Sequence, residues 1–364
     1  MIHRIHNFSA GPCTLPLEVL QEAQTELVDY QGAGMSLIEM SHRGKHFDDV
    51  HNEAVALARK VFEVPDDFSV LFLQGGATLQ FSMVPMNLIP HGARAAYVNS
   101  GSWASGAIAD ARIYGDVYTA WDGKEDNYSR MPMSKEVQLQ PNTRYLHITS
   151  NETIGGIRFS DWPEVDVPMV ADMSSDYMSR RIPWDRFDLV YGGVQKNLGP
   201  AGMAVVFIRQ SALETCNRNL GRYLRYDIHA DKNSMFNTPP VFPIYILGKV
   251  LRWMDETGGL TAIEKAAEEK AALLYSEIDN SRDYFRCPVH QASRSVMNVI
   301  FRLPTTDLEA LFIKEAAGQG LVNLKGHRSV GGCRASIYNA MPRSGVEALT
   351  GFMKSFRASY PDSK

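Results

Sequence analysis

The sequence predicts an α/β protein, with a mostly parallel sheet covered by helices on both faces and a smaller α+β unit after it. Three observations carry this prediction. Short apolar runs at residues 69–73, 95–98, 145–149, 167–171 and 189–191 read as buried strands, and amphipathic stretches separate several of them. The run at 204–208 follows so closely that no crossover helix fits before it, so it is expected as an antiparallel return strand. From about residue 255 the pattern becomes strand–helix–strand–helix, the signature of a small α+β domain.

Taken in order, the strand-like runs are followed by residues that suit a ligand site. Leu73-Gln-Gly-Gly-Ala-Thr-Leu-Gln80 is a strand end, two glycines and a helix start, where free backbone N–H groups can meet an anion. It lacks the Gly-Lys-Ser/Thr of a P-loop and the GxGxxG of a dinucleotide site. Trp103 follows Asn99-Ser-Gly-Ser102 at the next strand-to-helix turn, where an aromatic can stack on a flat ring. Ser150-Asn-Glu-Thr-Ile-Gly155 places Thr153 after the third run, as a donor to a phenolic oxygen. Asp172 ends the fourth run and Lys196 lies just past the fifth. Parallel strands would bring both to the C-terminal sheet edge, where open α/β sheets bind ligands. A lysine can form a Schiff base with an aldehyde cofactor, and a carboxylate can keep a pyridine nitrogen protonated.

In the second unit, residues 260–278 read as a long amphipathic helix and 296–301 as a strand. Thr306-Asp-Leu-Glu309 reads as a capping box, 334–338 as a strand, and Ser344-Gly-Val-Glu347 as the cap of a last helix. The expected division is a large domain at 16–255, with 1–15 and 256–364 forming the small one.

Composition narrows the class. With 45% hydrophobic and 21% charged residues the chain fits an ordinary globular protein, and its net charge of −4 gives no electrostatic case for nucleic acid or an anionic membrane. No apolar run approaches a membrane span, and the first residues have no signal-peptide core. Cys13, Cys216, Cys287 and Cys333 are scattered without CxxC or metal-ligand spacing, which points to a reducing cytoplasm and to no metal.

The segments Asn7-Phe-Ser-Ala-Gly-Pro12, Met40-Ser-His-Arg43, Gln74-Gly-Gly-Ala77, Ala171-Asp-Met-Ser-Ser175, Gln195-Lys-Asn-Leu-Gly-Pro-Ala-Gly202, Asn237-Thr-Pro-Pro240 and Gly326-His-Arg-Ser-Val-Gly-Gly-Cys-Arg-Ala-Ser336 strongly resemble the phosphoserine aminotransferases. These belong to the class V, fold-type I enzymes dependent on pyridoxal phosphate, and the resemblance spans effectively the whole chain. It implies a seven-stranded sheet in the large domain. It also implies that Lys196 carries the cofactor covalently, Asp172 pairs with the pyridine nitrogen, Trp103 stacks on the ring and Thr153 reaches its hydroxyl oxygen. Gly76, Ala77 and Gln195 would hold the phosphate, completed by Asn237 and Thr238 from a second subunit, hence a homodimer with shared sites. Ser9 and Arg43 would contact substrate.

Substrate choice rests on basic residues. One guanidinium suffices for an amino-acid carboxylate, and Arg334 is assigned that role. His42, Arg43, His327 and Arg328 exceed what alanine needs but suit a phosphate or a second carboxylate. The implied reaction transfers an amino group between L-glutamate and 3-phosphohydroxypyruvate, giving O-phospho-L-serine and 2-oxoglutarate. A longer phosphorylated keto acid of vitamin B6 synthesis is a second substrate that the sequence neither requires nor excludes. Two readings compete: another fold-type I enzyme, such as an alanine–glyoxylate-type transaminase or a cysteine desulfurase with Cys333 as nucleophile, or a binding protein that keeps the fold without catalysis. Cys333 sits in a short Gly-rich loop and reads as packing, and retention of both Lys196 and Asp172 argues against a non-catalytic protein.

Overall fold

A computed structural model describes residues 4–361. A seven-stranded sheet is built from β1 (Phe68–Gln74), β2 (Arg94–Asn99), β3 (Asp116–Asp122), β4 (Thr143–Thr149), β5 (Met169–Asp172), β6 (Phe187–Gly193) and β7 (Met203–Arg209). Their spatial order is β1-β7-β6-β5-β4-β2-β3. β7 runs antiparallel to both neighbours and the other pairs are parallel, as the short β6–β7 connection predicts.

The edge strand β3 escaped the sequence reading. Asp116-Val-Tyr-Thr-Ala-Trp-Asp122 is mostly half-exposed and carries acids at both ends, so it lacks the continuous apolar run of a strand buried on both faces. The other boundaries moved by a few residues.

Register fixes the functional edge. Thr149 pairs with Asp172, Asp172 with Tyr191, and Met203 with Gln74, so the loops after β1, β2, β4, β5 and β6 open on one side. Helices α1 (Leu17–Glu26), α2 (Lys45–Val61), α3 (Gly76–Leu88), α4 (Ser102–Ala111) and α5 (Val241–Glu256) surround the sheet. One apolar cluster joins α2 and α5 to one sheet face through Ala54, Phe72, Phe207 and Leu247. A second joins α3 and α4 to the other face through Phe81, Ile108, Tyr145 and Val206.

Beyond α5 come α6 (Gly259–Asp279), β8 (Asn298–Phe301), α7 (Thr306–Gly318), β9 (Cys333–Ser336) and α8 (Arg343–Ser359). β8 and β9 pair antiparallel. Phe8 from the N-terminal segment joins their apolar cluster, and His6–Asn7 pairs with Leu321–Val322. Two caps differ from the expectation. Thr305, one residue earlier than expected, caps α7 by accepting from Leu308 N at 3.2 Å, because it is the residue with extended backbone. Ser344 lies inside the first turn of α8, whose N-cap is Pro342, a residue with no capping side chain.

Candidate active site

Lys196 is buried at the end of β6. Its Nζ donates to Thr153 Oγ1 at 2.7 Å and stands 5.2 Å from the centre of the Trp103 indole. Lys196 follows β6, Thr153 follows β4 and Trp103 lies in the first turn of α4, so only the sheet brings them together. Burial pushes the Lys196 ammonium below its ordinary value, against the pull of the Asp172 and Glu152 carboxylates. Asp172 is buried too, and burial raises its carboxyl while Lys196 and Ser174 hold it down. Its Oδ1 accepts from Ser174 Oγ at 2.6 Å and Ser174 N at 2.9 Å, which fixes the carboxylate's direction. Ser174 Oγ in turn accepts from Gly193 N at 2.9 Å, tying the ends of β5 and β6 together.

Arg334 enters from β9, and its Nη1 donates to Thr153 O at 3.4 Å. One residue, Thr153, therefore bridges the lysine and the guanidinium expected to bind a carboxylate. Ser9 lies on the segment packed against β9, since Phe8 O accepts from Ser336 N and Ala10 O from Tyr338 Oη.

At the end of β1, Gly75 adopts φ +90° and starts α3. A Cβ there would lie 2.7 Å from Leu79 Cδ2, so the tight turn requires glycine. The N–H groups of Gly76 and Ala77 open the helix without intrahelical partners, a ready anion cradle. Gln195 lies over Gly193, where a Cβ would meet its Oε1 at 2.5 Å. A buried amine, an aromatic face, a buried carboxylate and an anion cradle on one sheet edge fit pyridoxal phosphate, through Lys196, Trp103, Asp172, Thr153, Gly76, Ala77 and Gln195.

Asn237 and Thr238 stand by the same chain's turn, with Asn237 Nδ2 donating to Gln74 Oε1 at 3.0 Å. Among the described residues, no hydrogen bond or ion pair joins the side chains of the basic loops to Lys196. The side chains of His42, Arg43 and Arg328 make no hydrogen bond or ion pair among the described residues, and His327 Nδ1 meets only Ser329. Cys333 is buried in the apolar cluster of β8 and β9, and burial pushes its thiol far above the reactive range. That geometry suits packing and not a desulfurase nucleophile.

Sequence reasoning missed several residues. Glu152 is wholly buried beside the lysine, although a carboxylate between a buried strand and Thr153 was a visible signal. Ser174, two residues after Asp172, has the spacing of an Asx turn. Lys270, whose Nζ donates to the carbonyls of Tyr338 and Met341 at 2.7 and 2.9 Å, gave no local sign.

The model of the family "Aminotransferase class-V" matches residues 5–349. Phosphoserine aminotransferase of Lysinibacillus sphaericus is 49% identical over 361 residues, spanning 99% of this chain and all of that protein. The corresponding enzyme of Desulfatibacillum aliphaticivorans is 51% identical over 359 residues, covering 98% of this chain and 99% of its own. The chain belongs to the phosphoserine aminotransferase family. A solved phosphoserine aminotransferase from Bacillus circulans subsp. alkalophilus superposes with a TM-score of 0.96 at 49% identity, covering 98% of this chain and 99% of that one. A pyridoxal-phosphate-bound phosphoserine aminotransferase from Trichomonas vaginalis gives a TM-score of 0.92 at 37% identity, covering 96% and 100%. Class V membership and these structures agree with the α/β fold, and the family implies pyridoxal phosphate as cofactor.

Proposed function

We propose that the chain is a phosphoserine:2-oxoglutarate aminotransferase, which moves the amino group between L-glutamate and 3-phosphohydroxypyruvate and supplies O-phospho-L-serine for serine biosynthesis. The observation that carries this reading is the buried Lys196 amine, held on Thr153 at 2.7 Å, with Arg334 on the carbonyl of the same residue. When bound, pyridoxal phosphate supplies an electron-withdrawing ring that stabilises negative charge at the substrate Cα. Lys196 would hold the cofactor, and its amine, in the neutral form that burial favours, would take up the proton from the substrate Cα. Asp172 would hold the pyridine nitrogen protonated, and Trp103 and Thr153 would hold the ring. Arg334 binds the α-carboxylate. Two half-reactions on one site predict ping-pong kinetics.

His42, Arg43, His327 and Arg328 receive the phosphate or the side-chain carboxylate of glutamate, and Ser9 also contacts the substrate. We further propose a homodimer in which some of these residues, with Asn237 and Thr238, serve the second subunit's site. Two features support this. The side chains of His42, Arg43 and Arg328 have no partner among the described residues and are free to meet an anion, and the segment before His42 exposes Leu27 at 44%, Val28 at 81% and Ile38 at 57% of their surfaces. Four unpaired thiols suit a reducing cytoplasm.

The test is the absorbance spectrum of the holoenzyme before and after O-phospho-L-serine, with L-serine and L-alanine as controls. The reading expects the visible band of the lysine-bound cofactor to shift to the near ultraviolet with phosphoserine alone. Equal shifts with all three amino acids would remove the role given to the basic loops.

A further inference from the structure

Helix α4 follows Gly101, which has no side chain to cap its first turn; in that turn Ala104 is buried while the Trp103 side chain is 37% exposed. Its free N–H groups are met from elsewhere in the chain. Glu152 Oε1 accepts from Ala104 N at 2.9 Å and from Ser100 Oγ at 3.5 Å, while Oε2 accepts from Trp103 N at 3.3 Å. The carboxylate thus satisfies two orphan donors and sets a negative charge at the positive end of the helix. Its approach is so close that a Cβ on Gly101 would lie 2.9 Å from Glu152 Cδ, which explains the glycine.

The supporting side is equally constrained. The preceding Asn151 donates to Ser175 Oγ and Asn298 Oδ1, both at 2.8 Å, and accepts from Ser295 Oγ at 2.6 Å. The following residue is Thr153, which receives Lys196 Nζ. Glu152 is 0% exposed, and burial pushes its carboxyl up to about 7 although the Ala104 and Trp103 N–H groups pull it down.

We propose that Glu152 is a positioning residue of the reaction, a cap supplied from the β4 loop that locks the Trp103 indole against Lys196 and Thr153. The inference rests on the aminotransferase reading for its consequence in catalysis, but its structural half stands without it. Removing the carboxylate frees the first turn of α4, and a ring that should clamp a planar cofactor then samples other orientations.

The experiment compares the wild type with E152A, E152Q, W103A and the double variant E152A/W103A. In the cofactor-free protein, acrylamide quenching of Trp103 is read as the difference from the matched W103F background. Glu152→Ala is expected to raise that quenching about twofold, with Glu152→Gln in between because one acceptor oxygen remains. Unchanged quenching in E152A overturns the proposal. In the holoenzyme, E152A is expected to lower kcat about tenfold with little change in KM. The double variant should then be no slower than W103A, and additive losses would overturn the coupling to Trp103. Should E152A fail to fold, E152Q carries both tests, with unchanged quenching again overturning the idea. A wild type without transaminase activity sinks the functional reading while leaving the quenching result to decide the cap.

Discussion

At the scale of the residue, this site depends on charge taken out of water. Lys196 and Asp172 are both buried, and each is costly alone, so their mutual attraction and the Ser174 hydrogen bonds keep both in place. Lys196→Ala should lower turnover about 10³-fold while binding of pyridoxal phosphate persists, and single-turnover absorbance with phosphoserine measures both. Substantial residual transamination in that variant would remove Lys196 from the mechanism. Arg328 has no partner among the described residues, so its guanidinium is available to an anion. Arg328→Ala should raise KM for phosphoserine about tenfold or more, the worth of a charged hydrogen bond, with a smaller effect on kcat. An unchanged KM would return that loop to plain surface. Cys333→Ser should stay active, since its thiol faces an apolar cluster and not the lysine.

At the scale of the element, the functional groups sit where strands end and helices begin. The turn after β1 shows how narrow that geometry is. Gly75→Ala combines φ +90° with a contact of 2.8 Å to Leu79 Cβ, and should cost about 1–3 kcal/mol. Thermal unfolding should show the loss, and titration with pyridoxal phosphate should show weakened cofactor binding as the N–H cradle shifts. Both should move together. A fully stable variant with normal affinity would mean that the turn relaxes without disturbing α3. Elements with strong periodicity, such as α6, were legible within a residue or two, because their apolar face is set by local sequence. Edge strand β3 and the caps of α7 and α8 were not. An edge strand buries only part of its surface, and a cap is decided by which residue the incoming chain leaves extended.

At the scale of the whole molecule, the sheet core carries a titratable group that function does not use. His147 in β4 is buried between Tyr97, stacked at 4.6 Å, and Tyr191, whose Oη lies 2.9 Å from its Nε2. Burial lowers its pKa from 6.5 to about 3, so the folded protein keeps it neutral. Below pH 6.5 the unfolded chain takes up a proton that the folded chain refuses until about pH 3. The stability it contributes is therefore complete above pH 6.5 and is lost as pH falls, by about 1.4 kcal/mol per pH unit across that window. Thermal midpoints between pH 7 and 4 should fall more steeply in the wild type than in His147→Gln, even though the variant starts lower. Equal slopes would mean that other groups govern acid unfolding.

What the sequence determined by itself was the order of the buried strands, without edge strand β3, and the chemical types at their ends. Apolar runs bounded by Gly-Gly, Trp, Thr, Asp and Lys are local patterns, and a parallel sheet converts that order into one edge. What only the tertiary structure decided was which groups meet. Glu152 reaching the first turn of α4, Ser174 accepting from Gly193, and Lys270 spanning the carbonyls beyond β9 join residues whose partners depend on register and packing. Such contacts leave little trace in composition or period, because a buried polar group is selected for the single partner that the fold brings to it.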